Sequence, residues 1–300
     1  MNRKSIVWPR ILIDSLTRGE CVIFVGAGFT KNAVSPKPGL VPVSWSELLS
    51  ALLDEVAPQD SHGTREPAGK AIESQIGSGD LLWAAQALEY LFQEAGRSAD
   101  FREVIAAAVD GTGSTRFQPG RPHQALLSLD ARIIVTTNYD KVLERLFSDG
   151  YTYLTYKSDN IAESIRTGRS IVLKLHGSTD DPKGMVLTRL DFSILRRNGE
   201  QALKVLEALT LTRTVLFLGY GLDDPDLHLI MENQMRAAGS APGHYLLTSD
   251  LEISKAKRNV LEQAFGVHVI RYQSGPSEGF VTAVEDLAVQ VESSRMETHS

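Results

Sequence analysis

Four stretches of this chain put chemically useful side chains directly after short apolar runs. Gly26-Ala27-Gly28-Phe29-Thr30 follows the run at 21–25, and Thr136-Thr137-Asn138-Tyr139-Asp140 follows the β-branched run at 133–135. His176-Gly177-Ser178 ends the run that starts at 170. Gly219-Tyr220-Gly221-Leu222-Asp223-Asp224-Pro225-Asp226 follows 214–218. Each residue type suggests a task. Glycines let backbone approach a ligand closely, and N–H groups at the start of a helix can hold phosphate. A histidine, with an ordinary pKa near 6.5, can move a proton at neutral pH. Asn138 and Asp140 can orient a hydroxyl or a water. Each stretch also has a plainer reading. Asn138 and Asp140 suit a turn and a helix cap, Gly26 and Gly28 a tight strand-to-helix turn, and His176 a turn hydrogen bond. Asp223, Asp224 and Asp226 suit capping at a helix N-terminus, against ribose or metal binding. The full Gly-x-Gly-x-x-Gly fingerprint is not met, because Lys31 takes the third glycine position.

The elements around these stretches alternate. Strands are expected near 21–25, 133–135, 151–156, 170–175, 214–218, 244–248 and 267–271, with helical patterns between most of them. This predicts an α/β fold, a doubly wound, mostly parallel, Rossmann-like sheet. In such a sheet the strand ends converge on one edge, where ligands bind. That co-occurrence weighs more than any single motif.

Between the first two strands, residues 44–120 read as an all-helical module inserted in a domain formed by 1–43 and 121–300. Ser44-Trp45-Ser46-Glu47 is a capping box that opens a helix carrying Leu48, Leu49, Leu52, Leu53 and Val56. Further amphipathic helices are expected over 81–92 and 101–109, with a polar break at 58–69. Their apolar stripes read as core. Residues 31–42, rich in Pro and Gly, suit a loop over the sheet edge, a candidate lid. His123 reads as a structural or capping histidine. A helix is expected over 9–17, one helix from 188 into 206, one over 278–291, and a fraying polar tail from 293.

Composition sets limits. The formal net charge of -6 argues against direct nucleic-acid binding, since phosphate affinity comes mainly from Lys and Arg. The single cysteine, Cys21, cannot form an internal disulfide or a multi-cysteine zinc site. No stretch has the length and apolarity of a membrane span, and the start lacks a signal-like apolar region, so a cytoplasmic setting is expected.

Taken together, Gly26-Ala27-Gly28, Thr137-Asn138-Tyr139-Asp140, Lys174-Leu175-His176-Gly177-Ser178 and the segment from Leu218 to Pro225 resemble the sirtuin-like family, over about residues 20–230. The chain departs from sirtuin deacylases in lacking the paired Cys-x-x-Cys zinc ribbon and the Pro-Asp-Phe-Arg segment after the glycine loop. It is thereby similar to the bacterial defence branch, and the resemblance implies hydrolysis of NAD, as substrate and without zinc, after phage infection. It assigns catalysis to Asn138, His176 and Asp140, with Asn138 on the ribose or water, Asp140 on the nicotinamide side and His176 as base. It assigns NAD binding to Gly26, Ala27, Gly28 and Thr30 at the pyrophosphate, and to Gly219, Gly221 and Leu222 beside the adenosine. It also implies an effector held silent in a homo-oligomer or by a second defence protein, of ATPase, Argonaute or sensor type. Two other readings stay open: a non-catalytic subunit that senses NAD or ADP-ribose, and a deacylase or ADP-ribosyltransferase.

Overall fold

The computed structural model describes residues 6–222, 224–238, 243–273 and 276–299. In chain order α1 (Arg10–Thr17) leads into β1 (Val22–Val25), and a single turn of helix, α2 (Ala27–Thr30), follows at once. Four helices come next: α3 (Trp45–Val56), α4 (Pro67–Ser78), α5 (Leu81–Glu94) and α6 (Ser98–Asp110). Then α7 (Arg121–Leu129), β2 (Ile133–Thr136), α8 (Val142–Leu146), β3 (Tyr151–Thr155), α9 (Ile161–Arg166) and β4 (Ser170–Lys174) alternate. The chain continues through α10 (Arg189–Asn198), α11 (Glu200–Thr212), β5 (Val215–Leu218), α12 (Pro225–Ala238), β6 (His244–Ser249), α13 (Lys255–Ala264), β7 (Val267–Tyr272) and α14 (Pro276–His299).

The seven strands form one sheet in the order β3-β4-β2-β1-β5-β6-β7, and every pairing is parallel. This is the α/β, Rossmann-like sheet the alternation predicts. The strands carry apolar side chains on both faces because helices cover both. Along β1, Ile23 and Val25 pack with Leu12, Leu16, Leu126 and Leu287 on one face. Val22 and Phe24 pack with Leu206, Leu209 and Leu227 on the other. The chain passes from β1 to β2, goes out to β3 at the edge, comes back to β4 between them, and then crosses to β1's other side as β5. The ends of β1 and β5 therefore lie at the switch point of the topology, where a crevice opens.

The helices α3–α6 share a third core, built from Leu49, Leu52, Leu88, Phe92, Phe101 and Ile105. Met185 and Leu187, from the segment after β4, complete it. Arg102 of α6 ties the same places together. It donates to the Met185 carbonyl at 2.7 Å, to Glu89 at 2.8 Å and to Asp191 at 2.8 Å.

Several details depart from the sequence reading. Helix α4 was not expected. It holds Gly69 and Gly77 and buries only Gly69 and Ile72, so its apolar stripe is thin. The expected helix from 188 is two, α10 and α11, divided at Gly199. The tail does not fray from 293: α14 runs to His299, and Arg295 donates to the Leu16, Ser128 and Leu129 carbonyls. These helix-end carbonyls give the guanidinium its anchor. Helix α8 spans only five residues, because the turn before it takes up the polar stretch.

Candidate active site

The site begins with the glycine turns. Gly26 N–H donates to the Leu218 carbonyl at 3.0 Å and Gly28 N–H to the Gly219 carbonyl at 2.8 Å. A Cβ on Gly26 would come within 2.5 Å of the Gly219 oxygen. Gly219 has φ +59, and its own Cβ would overlap the Phe29 amide nitrogen. These glycines thus let the ends of β1 and β5 touch. The N–H groups of Gly26 and Gly28 are both committed to that contact.

The turn after β2 is fixed from both sides. Thr136 Oγ1 donates to the Val25 carbonyl at 2.7 Å and accepts from Asn138 N–H at 3.0 Å. Asn138 Nδ2 donates to Thr30 Oγ1, and Thr30 Oγ1 donates to Asp140 Oδ2, each at 3.0 Å. Asp140 Oδ1 accepts from the N–H of Val142, the first residue of α8, at 3.0 Å, but the N-cap position itself is Lys141, so Asp140 braces the turn before the helix and is not the cap its plainer reading proposed. Asp140 is buried, which pushes its carboxyl pKa up against the lowering pull of Lys174, Val142 and Thr30. Lys174, at the end of β4 and 2% exposed, donates to the Tyr139 carbonyl at 3.1 Å and pairs with Glu144 at 2.8 Å. Burying an ammonium costs free energy unless it is paired and hydrogen-bonded, as here.

His176 follows directly. Its ring lies between Tyr139, stacked at 6.4 Å, and Phe192, edge-on at 5.1 Å. Its Nε2 lies 2.9 Å from Asp224 Oδ2, with only 10% and 9% of the two side chains exposed. Asp224 Oδ1 accepts from the N–H groups of Asp226 and Leu227, each at 2.9 Å, at the start of α12. Burial raises the Asp224 pKa, but His176 and these N–H groups outweigh it and hold the carboxyl below its ordinary value.

One cavity of about 740 Å³ gathers these parts, within the range of small-molecule sites. Ala27, Gly28, Thr30, Asn138, Asp140, His176, Gly219, Gly221 and Asp224 line it. The α3–α6 region supplies an apolar wall that includes Trp45, Leu48, Leu82 and Val109.

Two of the expected ligand contacts lie elsewhere. Gly26 sits beneath the turn and is not a lining residue. Leu222, with φ +55, is buried in the core beside β5, and its carbonyl meets His228. Asp226 pairs with Arg196 at 2.6 Å, and Asp223 lies outside the described residues. His123 is structural as expected: Nδ1 accepts from Gly120 N–H at 3.1 Å and the ring meets Phe29 edge-on. Sequence reasoning weighed Asp224 as a cap against ribose or metal binding and not as a partner of His176, and it passed over Trp45, Tyr139 and Lys174 as parts of the site. Lys174 stood in the right motif, but the partners of the other three come from distant segments. Among the described residues, no cluster of His, Cys, Asp and Glu is arranged to hold a metal ion, and no helix is long and apolar enough to cross a membrane.

A parallel Rossmann-like sheet whose glycine turns, asparagine and histidine meet at the switch point defines an α/β protein of the class whose ligands bind in a crevice at the carboxyl ends of the strands. Within that class residues 132–270 match the family model of the SIR2-like domain, and the resemblance to sirtuin-like proteins is borne out. It is 29% identical over 236 residues to the NAD(+) hydrolase ThsA of Enterococcus faecium, covering 78% of this chain and 43% of the relative. It is 25% identical over 264 residues to the protein of the same name from Cytobacillus dafuensis, covering 87% and 47%. Defense-associated sirtuin 2 of Bacillus subtilis is 26% identical over 133 residues, covering 41% of this chain and 13% of that protein. The chain spans less than half the length of these relatives.

Proposed function

We propose that this chain is an NAD+ hydrolase that cleaves the nicotinamide–ribose bond and serves as an antiphage effector by depleting NAD. The observation that carries this reading is the presence of Asn138 and His176 in one cavity with the glycine turns of β1 and β5. Relatives named NAD(+) hydrolase ThsA support it.

Cleavage passes through an oxocarbenium-like state, as in glycoside chemistry. The C–N bond breaks, and nicotinamide leaves as a neutral base with the electron pair. Water forms the new C–O bond, and its proton passes to His176 acting as general base. Asn138 orients that water or a ribose hydroxyl through its amide oxygen. Asp140 borders the nicotinamide side and steadies Asn138 through Thr30. Ala27, Gly28 and Thr30 border the pyrophosphate, and Gly219 and Gly221 the adenosine half. No metal is assigned.

In this reading residues 1–43 and 121–300 form the NAD-binding domain, and the insert at 44–120 walls the cavity. The effector works in the cytoplasm, restrained as a homo-oligomer or by a second defence protein.

The test incubates purified protein with NAD and follows nicotinamide and ADP-ribose by chromatography, beside His176→Ala. Release of both products by the wild type alone is the expected result. Tight NAD binding without turnover, in the presence of the neighbouring gene's product as well, would instead favour a sensor.

A further inference from the structure

The pairing of His176 with Asp224 reaches beyond a cap. A cap uses only one oxygen of the carboxylate; the other, Oδ2, is buried without an aligned hydrogen bond and lies within ion-pair distance of an imidazole. Here one oxygen takes two backbone N–H groups, and the other lies 2.9 Å from Nε2. The carboxylate is thus held in place by the helix and cannot follow the ring if the ring turns. The ring is flanked as well, by Tyr139 and Phe192. Tyr139 is itself fixed, since its hydroxyl donates to the Val186 carbonyl at 2.6 Å.

Resting on the hydrolase reading above, we infer that Asp224 is a positioning residue for His176: its carboxylate keeps the proton on Nε2 and leaves Nδ1 as the nitrogen that accepts a proton from the reacting water. An acidic partner on one ring nitrogen fixes the tautomer and stabilises the imidazolium that forms when the other takes a proton. The arrangement needs four segments distant in sequence: the end of β4, the turn after β2, α10 and the residue before α12.

Asp224→Asn separates the two roles of this residue. Asparagine caps helices as well as aspartate does, so the N–H groups of Asp226 and Leu227 keep an acceptor. The charge opposite Nε2 is lost. The imidazole nitrogen spectrum of ¹⁵N-labelled protein would be recorded for wild type and Asp224→Asn, above the pH at which the ring titrates. The His176 signals would be assigned among the seven histidines by their loss in His176→Gln. The expected result is an Nε2–H tautomer in the wild type and a mixture in Asp224→Asn. Turnover should fall about 10²-fold in kcat with KM nearly unchanged, the size expected for a misplaced catalytic group, and thermal unfolding should stay cooperative. Asp224→Ser, a second charge-free capping variant, should behave alike. If either variant keeps the wild-type nitrogen spectrum, or turns over at the wild-type rate, the inference is overturned. Should the protein prove not to hydrolyse NAD, the nitrogen spectra alone decide. A wild-type ring protonated at Nδ1 overturns the pairing, whereas Nε2–H lost in the variants upholds it.

Discussion

Asn138 Nδ2 donates to Thr30 Oγ1 at 3.0 Å, and this contact decides which end of the asparagine amide faces the cavity. A threonine hydroxyl has one proton to give. Thr30 gives it to Asp140 Oδ2, so from Asn138 it can only accept. The amide must therefore turn its NH₂ toward Thr30 and present Oδ1, an acceptor, to whatever occupies the cavity. A water or ribose hydroxyl, both donors, suits that oxygen.

Thr30→Val keeps the shape of the side chain and removes both hydrogen bonds, so the amide is free to flip. We expect kcat for NAD hydrolysis to fall by about 10-fold to 10²-fold. Thr30→Ser, which restores the hydroxyl, should recover most of it. Equal turnover in wild type and Thr30→Val would refute the orienting role.

Asn138→Ala and His176→Ala remove the groups themselves. General acid–base catalysis contributes about 10²- to 10⁴-fold, and losses of that size are expected in each. The fold should survive, because Asp224 keeps two backbone N–H partners and Asp140 keeps Thr30 and Val142. Product formation and a thermal melt on the same samples check both halves. Full turnover by the two variants would discard the mechanism.

How far the chain could be read without its structure follows from what each signal encodes. A buried parallel strand announces itself as a short apolar run, and the edge strand β3 as an alternating one, so all seven strands and the convergence of their ends were legible. So was the capping box of Ser44 and Glu47, since both partners lie within one turn. Helix α4 was not, because two glycines and a single buried isoleucine leave no periodic stripe. Nor was the anchoring of the last turns, which depends on Arg295 meeting carbonyls some 166 and 279 residues earlier in the chain. The site divides in the same way. Asn138 and His176 could be chosen by type and position, whereas Asp224 could be seen to cap α12 but not to face a ring 48 positions before it. Leu222 was misplaced for a related reason: a positive φ turns the chain there and sends the side chain into the core.

Two buried histidines make stability depend on pH. His123 and His244 each spend Nδ1 on a backbone N–H, from Gly120 and Val215, and burial pulls each pKa down from 6.5 to about 4. The unfolded chain takes up these protons near 6.5 and the folded one only near 4. Stability is therefore intact above pH 6.5 and falls as pH drops through that window. The loss reaches about 3 kcal/mol per histidine at the lower end. Urea unfolding at pH 7.5 and pH 4.5 should show the drop, and His123→Gln should flatten its share. A pH-independent difference between wild type and variant would contradict the assignment.

Gly219 offers the last and most severe test, because two separate costs meet there. Its φ of +59 is unfavourable for any residue with a Cβ, and that Cβ would also strike the Phe29 amide of the adjoining turn. Gly39 isolates the first cost: its φ is +80 but nothing lies within 4 Å of the position a Cβ would take. Gly39→Ala should therefore lose about 1 kcal/mol from backbone strain alone. Gly219→Ala must add the displacement of a packed turn, roughly 1–3 kcal/mol more. The displacement also has a direction. It pushes the β5 turn away from Ala27–Thr30, the segment that carries Thr30 to Asn138. Gly219→Ala should therefore lose activity at temperatures where it is still folded, and Gly39→Ala should not. Paired denaturation curves and turnover measurements on the two variants make the comparison. Similar stability and activity losses in both would mean that the contact between the β1 and β5 turns does not hold the site together.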